Sequence, residues 1–102
     1  MGGSAKKEWL AMTWRAIYHP RAEKMFSKLN TYSQNMIQNY LNNKVLKLEH
    51  PTKLGKRLTG QGKWKGYLRY RVDQFRIICD IKDHELIILV MKVGHRNDVY
   101  DD

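Results

Sequence analysis

Three runs of strand-forming residues crowd the second half of this chain, and they limit what it can fold into more than any other feature. Residues 65–72 alternate apolar and polar. Residues 75–81 are β-branched and aromatic, and residues 86–93 are almost wholly apolar, as expected for a strand covered on both faces. Asp73-Gln74 reads as a two-residue turn, and Lys82-Asp83-His84 marks a second turn. The first half has a different period. After a short strand over Thr13 to Tyr18, Pro20 suits the first turn of a helix in which Ala22, Met25, Phe26 and Leu29 recur at helical spacing. Thr31 or Ser33 is the expected cap of a second helix carrying Met36, Ile37, Tyr40, Leu41 and Leu48, which Pro51 ends. Residues 51–63, punctuated by Pro51, Gly55, Gly60 and Gly62, read as a loop tethered by Leu54 and Leu58. The order is β-α-α-β-β-β. It predicts a single α+β domain with a helix pair packed on a mostly antiparallel four-stranded sheet.

The chain has 102 residues, enough for one modest core. Residues 12–102 are the expected domain. Residues 1–11, with Gly2-Gly3-Ser4, read as an artificial leader or a flexible extension, and Met12 as an alternative start; a native extension with a short helix over Lys6 to Leu10 is the other reading. This segment lacks the apolar stretch of a secretory signal, and no apolar run approaches the ~20 residues of a membrane span. A single cysteine, Cys79, lies in an apolar strand; buried filler in a reducing cytoplasm is the expectation. The histidines and the cysteine show no zinc-ligand spacing, so no metal or cofactor is expected.

The net charge of +9 favours a polyanionic partner. Its distribution strengthens that reading. From residue 53 to residue 76 there are eight basic residues, Lys53, Lys56, Arg57, Lys63, Lys65, Arg69, Arg71 and Arg76, against one acid, Asp73. A solvated face usually mixes the two signs.

A turn at Asp73-Gln74 fixes the hairpin register. Val72 then faces Phe75, Arg71 faces Arg76, Tyr70 faces Ile77 and Leu68 faces Cys79. Facing residues point the same way, so one face gathers the apolar side chains and the other Arg69, Arg71 and Arg76. Like charges directly opposite destabilise a sheet, and a bound anion would remove the penalty. Arginine suits phosphate because its planar fork donates two parallel hydrogen bonds and stays charged. Neutralisation by Asp80, Asp98 or a C-terminal acid is the alternative. After the last strand Gly94 is expected to let the chain bend out of the sheet. His95, Arg96 and Tyr100 then bring a proton-exchanging ring, a guanidinium and a stacking phenol to the rim, groups suited to metal-free phosphodiester transfer.

The stretches Leu58-Thr59-Gly60, residues 67–78, Val93-Gly94-His95-Arg96 and Val99-Tyr100 are similar, in order and spacing, to the RelE/ParE toxin superfamily of type II toxin–antitoxin systems; Tyr18-His19-Pro20-Arg21-Ala22 resembles its first strand and helix start. The similarity spans residues 13–100, nearest to the RelE-like branch. It implies a prokaryotic, cytoplasmic toxin bound and blocked by a cognate antitoxin, with contact to operator DNA only through that complex. For the RelE branch it implies a ribosome-dependent endoribonuclease that cuts mRNA by attack of the ribose 2′-hydroxyl on the adjacent phosphate. Arg76, Arg96 and Tyr100 match the family's phosphate-contacting arginine, its arginine after the last strand and its C-terminal tyrosine. Where the best-known member carries lysines on the second strand, one proposed as the general base, this chain has Tyr67 and Arg69. Arginine is a poor base, so His95 becomes the candidate catalytic base or acid. Arg69, Arg71, Lys53, Lys56, Arg57, Lys63 and Lys65 are the candidate RNA-binding residues. The resemblance also admits a ParE-type inhibitor of DNA gyrase, a binding toxin without nuclease chemistry, and the charge alone admits a plain nucleic-acid-binding module.

Overall fold

The computed structural model describes residues 13–100; the expectations for residues 1–11 lie outside the described residues. Strand β1 (Arg15–Tyr18) leads through His19 into helix α1 (Pro20–Ser27). Pro20 takes the first helical position, where a missing N–H costs nothing, and His19 Nδ1 accepts the Arg21 backbone N–H at 3.2 Å. Helix α2 (Thr31–Tyr40) is capped by Asn30, whose Oδ1 accepts the Ser33 N–H at 2.8 Å; neither Thr31 nor Ser33 serves as the cap. The helix does not run on to Pro51. It widens into a π-type turn over Leu41–Val45, closed by Leu46 N–H on the Leu41 carbonyl, and this turns both Leu41 and Val45 into the core.

The remaining strands are β2 (Lys56–Arg57), β3 (Leu68–Val72), β4 (Phe75–Lys82) and β5 (Ile87–His95). The sheet order is β1-β5-β4-β3-β2, with β1 parallel to β5 and every other pair antiparallel. The sheet therefore has five strands rather than the expected four. The extra one is β2, two residues inside the segment read as a loop; so short a strand gives no alternation to recognise, and only its pairing with Arg69 and Leu68 creates it.

Both helices cover one face. Ala22, Ile37, Leu41 and Val45 pack there against Leu68, Tyr70, Val72, Ile77, Cys79, Ile88, Val90 and Val93. Burying each larger side chain is worth about 1.5–3 kcal/mol. The hairpin register is the expected one throughout, from Val72 opposite Phe75 to Leu68 opposite Cys79, and Asp73 holds the turn with a left-handed φ of 56°. The opposite, helix-free face carries a second small cluster, Trp64, Ile78 and Val99, with Leu58, Tyr67 and Met91 against it. Leu58 thus anchors its loop, whereas Leu54 is left largely exposed. No helix of the described residues is long and apolar enough to cross a membrane.

One irregularity decides what faces what. Ile78 pairs with Lys92 but Cys79 pairs with Val90, so Met91 is an extra residue, a bulge in β5. Before it, Ile88 and Val90 point toward the helices; after it, Val93 does. Without the bulge Lys92 would be driven into the apolar core.

Candidate functional site

The helix-free face carries the charge. Arg71 lies directly opposite Arg76, as the hairpin register predicts, and Lys56 on β2 lies opposite Arg69. Two like-charged cross-strand pairs therefore share one face, where each pair opposes folding. Arg76 is the focus. Its Nη1 donates to the backbone carbonyls of Asp73 at 3.0 Å and Phe75 at 2.9 Å, which fixes the guanidinium against the hairpin turn. Loss of solvent pushes the Arg76 pKa below its ordinary value; the nearby Arg71, Arg69 and Arg96 guanidiniums push it the same way, and the Tyr100 phenol opposes them. Those same groups outline the candidate site: three further arginines and one tyrosine within electrostatic reach of Arg76. Among the described residues no carboxylate pairs with any of the four arginines, and Asp80 is bound instead to Lys82 at 2.9 Å, toward the far end of β4. Arg69 Nε is buried without a hydrogen-bond partner.

The C-terminal segment reaches this face by folding back on β5. Arg96 N–H donates to the Gln74 carbonyl at 2.7 Å, and the N–H groups of Asp98 and Val99 both donate to the His95 carbonyl at 2.9 Å. Val99 then seats on Gly94. A Cβ on Gly94 would stand 3.3 Å from Val99 Cα and 3.4 Å from its Cβ. Gly94 therefore does not bend the chain out of the sheet. It stays within β5 as the bare position onto which the tail closes, and this brings Arg96 and Tyr100 over the arginines.

His95 does not join them. It pairs with Phe75, and its ring sits edge-on to the Phe75 ring with centroids 6.2 Å apart, on the side that faces the helices. Both ring nitrogens are engaged. Nδ1 accepts the Asn97 N–H at 3.4 Å, and Nε2 lies 2.9 Å from Gln74 Oε1. In the neutral ring that leaves the proton on Nε2, the tautomer of a donor. The bulge at Met91 is the cause, because it reverses the alternation before His95 is reached.

The other candidates divide. Lys63 and Lys65 flank a cleft lined also by Leu58, Thr59, Gly62, Trp64 and Tyr100. Arg57 turns its Nη1 to the Gly66 carbonyl at 2.7 Å, and Lys53 ends a 3-10 turn ahead of β2, with no side-chain contact to the arginine group among the described residues. The sequence reading missed Trp64. Its ring is 5% exposed and lies 5.4–5.8 Å from the cationic groups of Lys63, Arg21 and Lys92. Lys92, 6% exposed, was legible only as a lone charge in an apolar run. The interleaving Lys63-Trp64-Lys65 was the available signal. No cluster of three metal-ligating side chains forms among the described residues.

A family profile, the ParE toxin of the type II toxin–antitoxin system parDE, matches residues 16–100. The chain belongs to the ParE toxin family. The resemblance drawn from its motifs is thereby borne out, and the chain is a toxin of the RelE/ParE superfamily. A search of curated protein sequences found no significant match. Among solved structures, this ParE-family chain superposes on the toxin–antitoxin complex RelBE2 from Mycobacterium tuberculosis with a TM-score of 0.71 at 19% identity, covering 84% of this chain and 94% of that one. The intact E. coli RelBE complex gives 0.61 at 17% identity, with 80% and 95% covered. The archaeal RelE–RelB complex from Pyrococcus horikoshii OT3 gives 0.59 at 21%, with 86% and 100% covered. At these identities the likeness is one of fold.

Proposed function

We propose that this toxin is an mRNA endoribonuclease that acts on the ribosome, is held in check by a cognate antitoxin and works in the cytoplasm. The observation that carries this reading is the convergence of Arg69, Arg71, Arg76, Arg96 and Tyr100 on one face, with no carboxylate among the described residues paired to the arginines. Such a face is stabilised by a phosphate and destabilised without one. In the reaction the ribose 2′-oxygen bonds to the adjacent phosphorus and the bond to the 5′-oxygen breaks. A 2′,3′-cyclic phosphate and a 5′-hydroxyl end result. Arg76 and Arg96 hold the non-bridging oxygens, where negative charge grows in the transition state. Tyr100 orients or stacks the neighbouring base. His95 is the candidate for both proton transfers: once its ring leaves Gln74 and the helix side of the sheet, it takes the proton of the 2′-hydroxyl, and the imidazolium so formed gives a proton to the departing 5′-oxygen. Lys56, Lys63 and Lys65 hold the flanking backbone, and the basic face also suits an acidic antitoxin segment. Contact with operator DNA follows only through the toxin–antitoxin complex.

One observation favours a second reading. A phosphate-binding face with His95 turned away from it is suited to binding without cleavage, as in a ParE-type inhibitor of DNA gyrase. One experiment separates the two. The wild type and the Arg76→Ala, Arg96→Ala, His95→Ala and Tyr100→Phe variants are induced, and the 5′ ends of cellular mRNA are mapped alongside chromosomal breaks. Codon-phased mRNA ends lost in the variants support the ribonuclease; intact mRNA with broken DNA overturns it in favour of gyrase.

A further inference from the structure

The two-residue turn between β3 and β4 does more than reverse the chain. The carbonyls of Asp73 and Phe75 both accept from Arg76 Nη1, and the carbonyl between them, that of Gln74, accepts the Arg96 N–H at 2.7 Å. The backbone around Gln74 is thus committed to two of the arginines, while its side chain is not. That side chain is exposed, yet it reaches a residue 21 positions away, where its Oε1 meets His95 Nε2 at 2.9 Å. A long polar side chain on an exposed turn ordinarily stays in water, because ordering it costs rotamer freedom. Of the two hydrogen bonds that hold the His95 ring, this is the shorter. Nδ1 lies 3.4 Å from the Asn97 nitrogen, and Phe75 adds an edge-on ring contact.

We infer that Gln74 is a positioning residue, a latch at the hairpin turn that keeps the His95 ring on the helix side of the sheet, and that cleavage waits on the breaking of this one hydrogen bond. The inference rests on the ribonuclease reading above and deepens it. Held by Gln74, the ring lies across the sheet from Arg71 and Arg76 and cannot serve a phosphodiester bound to them. With the latch closed the protein binds and does not cut. His95 is the last residue of β5, at the rim beside the turn. Once released, its ring reaches that rim by a change of side-chain rotamer, and the backbone contacts of Arg76 and Arg96 stay in place. An amide carries donors and an acceptor but no titrating proton, so Gln74 acts on position alone.

Two substitutions pull the latch in opposite directions. Gln74→Met keeps the length of the side chain and removes the acceptor oxygen. Gln74→Glu turns the acceptor into a carboxylate, whose charge-assisted hydrogen bond is roughly twice as strong. Gln74 has no left-handed φ and holds Arg96 through its backbone, so both variants keep the turn and that contact. The full chain is followed by two readouts: the imidazole nitrogen and ring-proton NMR signals of His95, assigned against His95→Gln, and single-turnover cleavage of mRNA on programmed ribosomes. In Gln74→Met the His95 signals are expected to lose the Phe75 ring-current shift and the single Nε2–H tautomer. Cleavage is expected to run about 2- to 10-fold faster, the size of one neutral hydrogen bond. In Gln74→Glu the ring-current shift is expected to stay and cleavage to slow by a similar factor. A merely structural role would slow both variants alike. If the His95 signals of Gln74→Met match those of the wild type, there is no latch. If the signals change but both variants cut more slowly, or both at the wild-type rate, the latch is overturned and the ribonuclease reading stands. If the wild type itself does not cut, the ribonuclease reading falls and the latch on cleavage falls with it.

Discussion

Replacing Arg71 by threonine should make this protein more stable and less able to bind RNA. Arg71 faces Arg76 across the hairpin, and among the described residues neither has an acidic partner. A directly opposed pair on a sheet is worth roughly 0.2–1 kcal/mol either way. Because Arg71 is exposed, solvent screens much of the repulsion. About 0.5 kcal/mol is therefore the expected gain from removing it, or roughly 2–4 °C in Tm for a domain of this size. Threonine adds its own preference for strands, which does not depend on salt. The charge contribution does. Screening acts over about 10 Å at 0.1 M salt and about 3 Å at 1 M. Urea unfolding at the two concentrations, urea being uncharged, separates the parts: the variant's advantage should shrink at 1 M by about the size of the charge contribution. RNA binding should move the other way. Losing one phosphate contact lowers the slope of log affinity against log salt by about 0.7, and loss of a charge-assisted hydrogen bond should cost about tenfold or more. A stability change that is the same at both salt concentrations, or an unchanged salt slope, would refute the claim that this face is strained for the sake of an anion.

Further outcomes follow from other parts of the structure. Gly94→Ala places a Cβ against the Val99 backbone and should cost about 1–3 kcal/mol, an ordinary penalty for overpacking, while RNA affinity falls because Arg96 and Tyr100 are displaced together; urea unfolding and anisotropy measure the two effects. Val99→Ala removes two methyl groups from the small outer cluster and should cost about 1.5–3 kcal/mol, with the same loss of binding. Burial pushes the Tyr18 hydroxyl up to about 12 and raises Tyr70 and Tyr40 as well. In the unfolded chain these phenols ionise near pH 10. Their contribution is therefore fully present below about pH 10 and is lost as pH rises toward 12, where the unfolded state gives up protons that the folded state keeps. Stability that stays flat across pH 9–11.5, followed by circular dichroism, would contradict this. Burial also raises the Cys79 thiol, so it should resist thiol reagents at pH 8 until the protein is unfolded.

Much of this molecule is decided locally and is legible residue by residue. A two-residue turn flanked by alternating strands has one sensible register, so the pairing of Arg71 with Arg76 followed from sequence spacing. The helix pair followed from apolar spacing, and the family from the order of motifs between residues 16 and 100. What the sequence could not decide depends on partners distant in the chain. Strand β2 exists only because β3 lies beside it, and it adds the opposed Lys56–Arg69 pair. The outer cluster exists because Gly94 has no side chain and Val99 can close on it, next to a tryptophan thirty-five positions earlier in the chain. The bulge at Met91 was hidden because residues 86–93 are almost uniformly apolar, so either alternation fits them; only the cost of burying Lys92 in the core selects one. That choice sets Gly94 among the arginines and turns His95 away from them. The gathering of the hairpin arginines on one face was therefore written in the sequence, and the side of the sheet on which His95 lies was left to the tertiary fold.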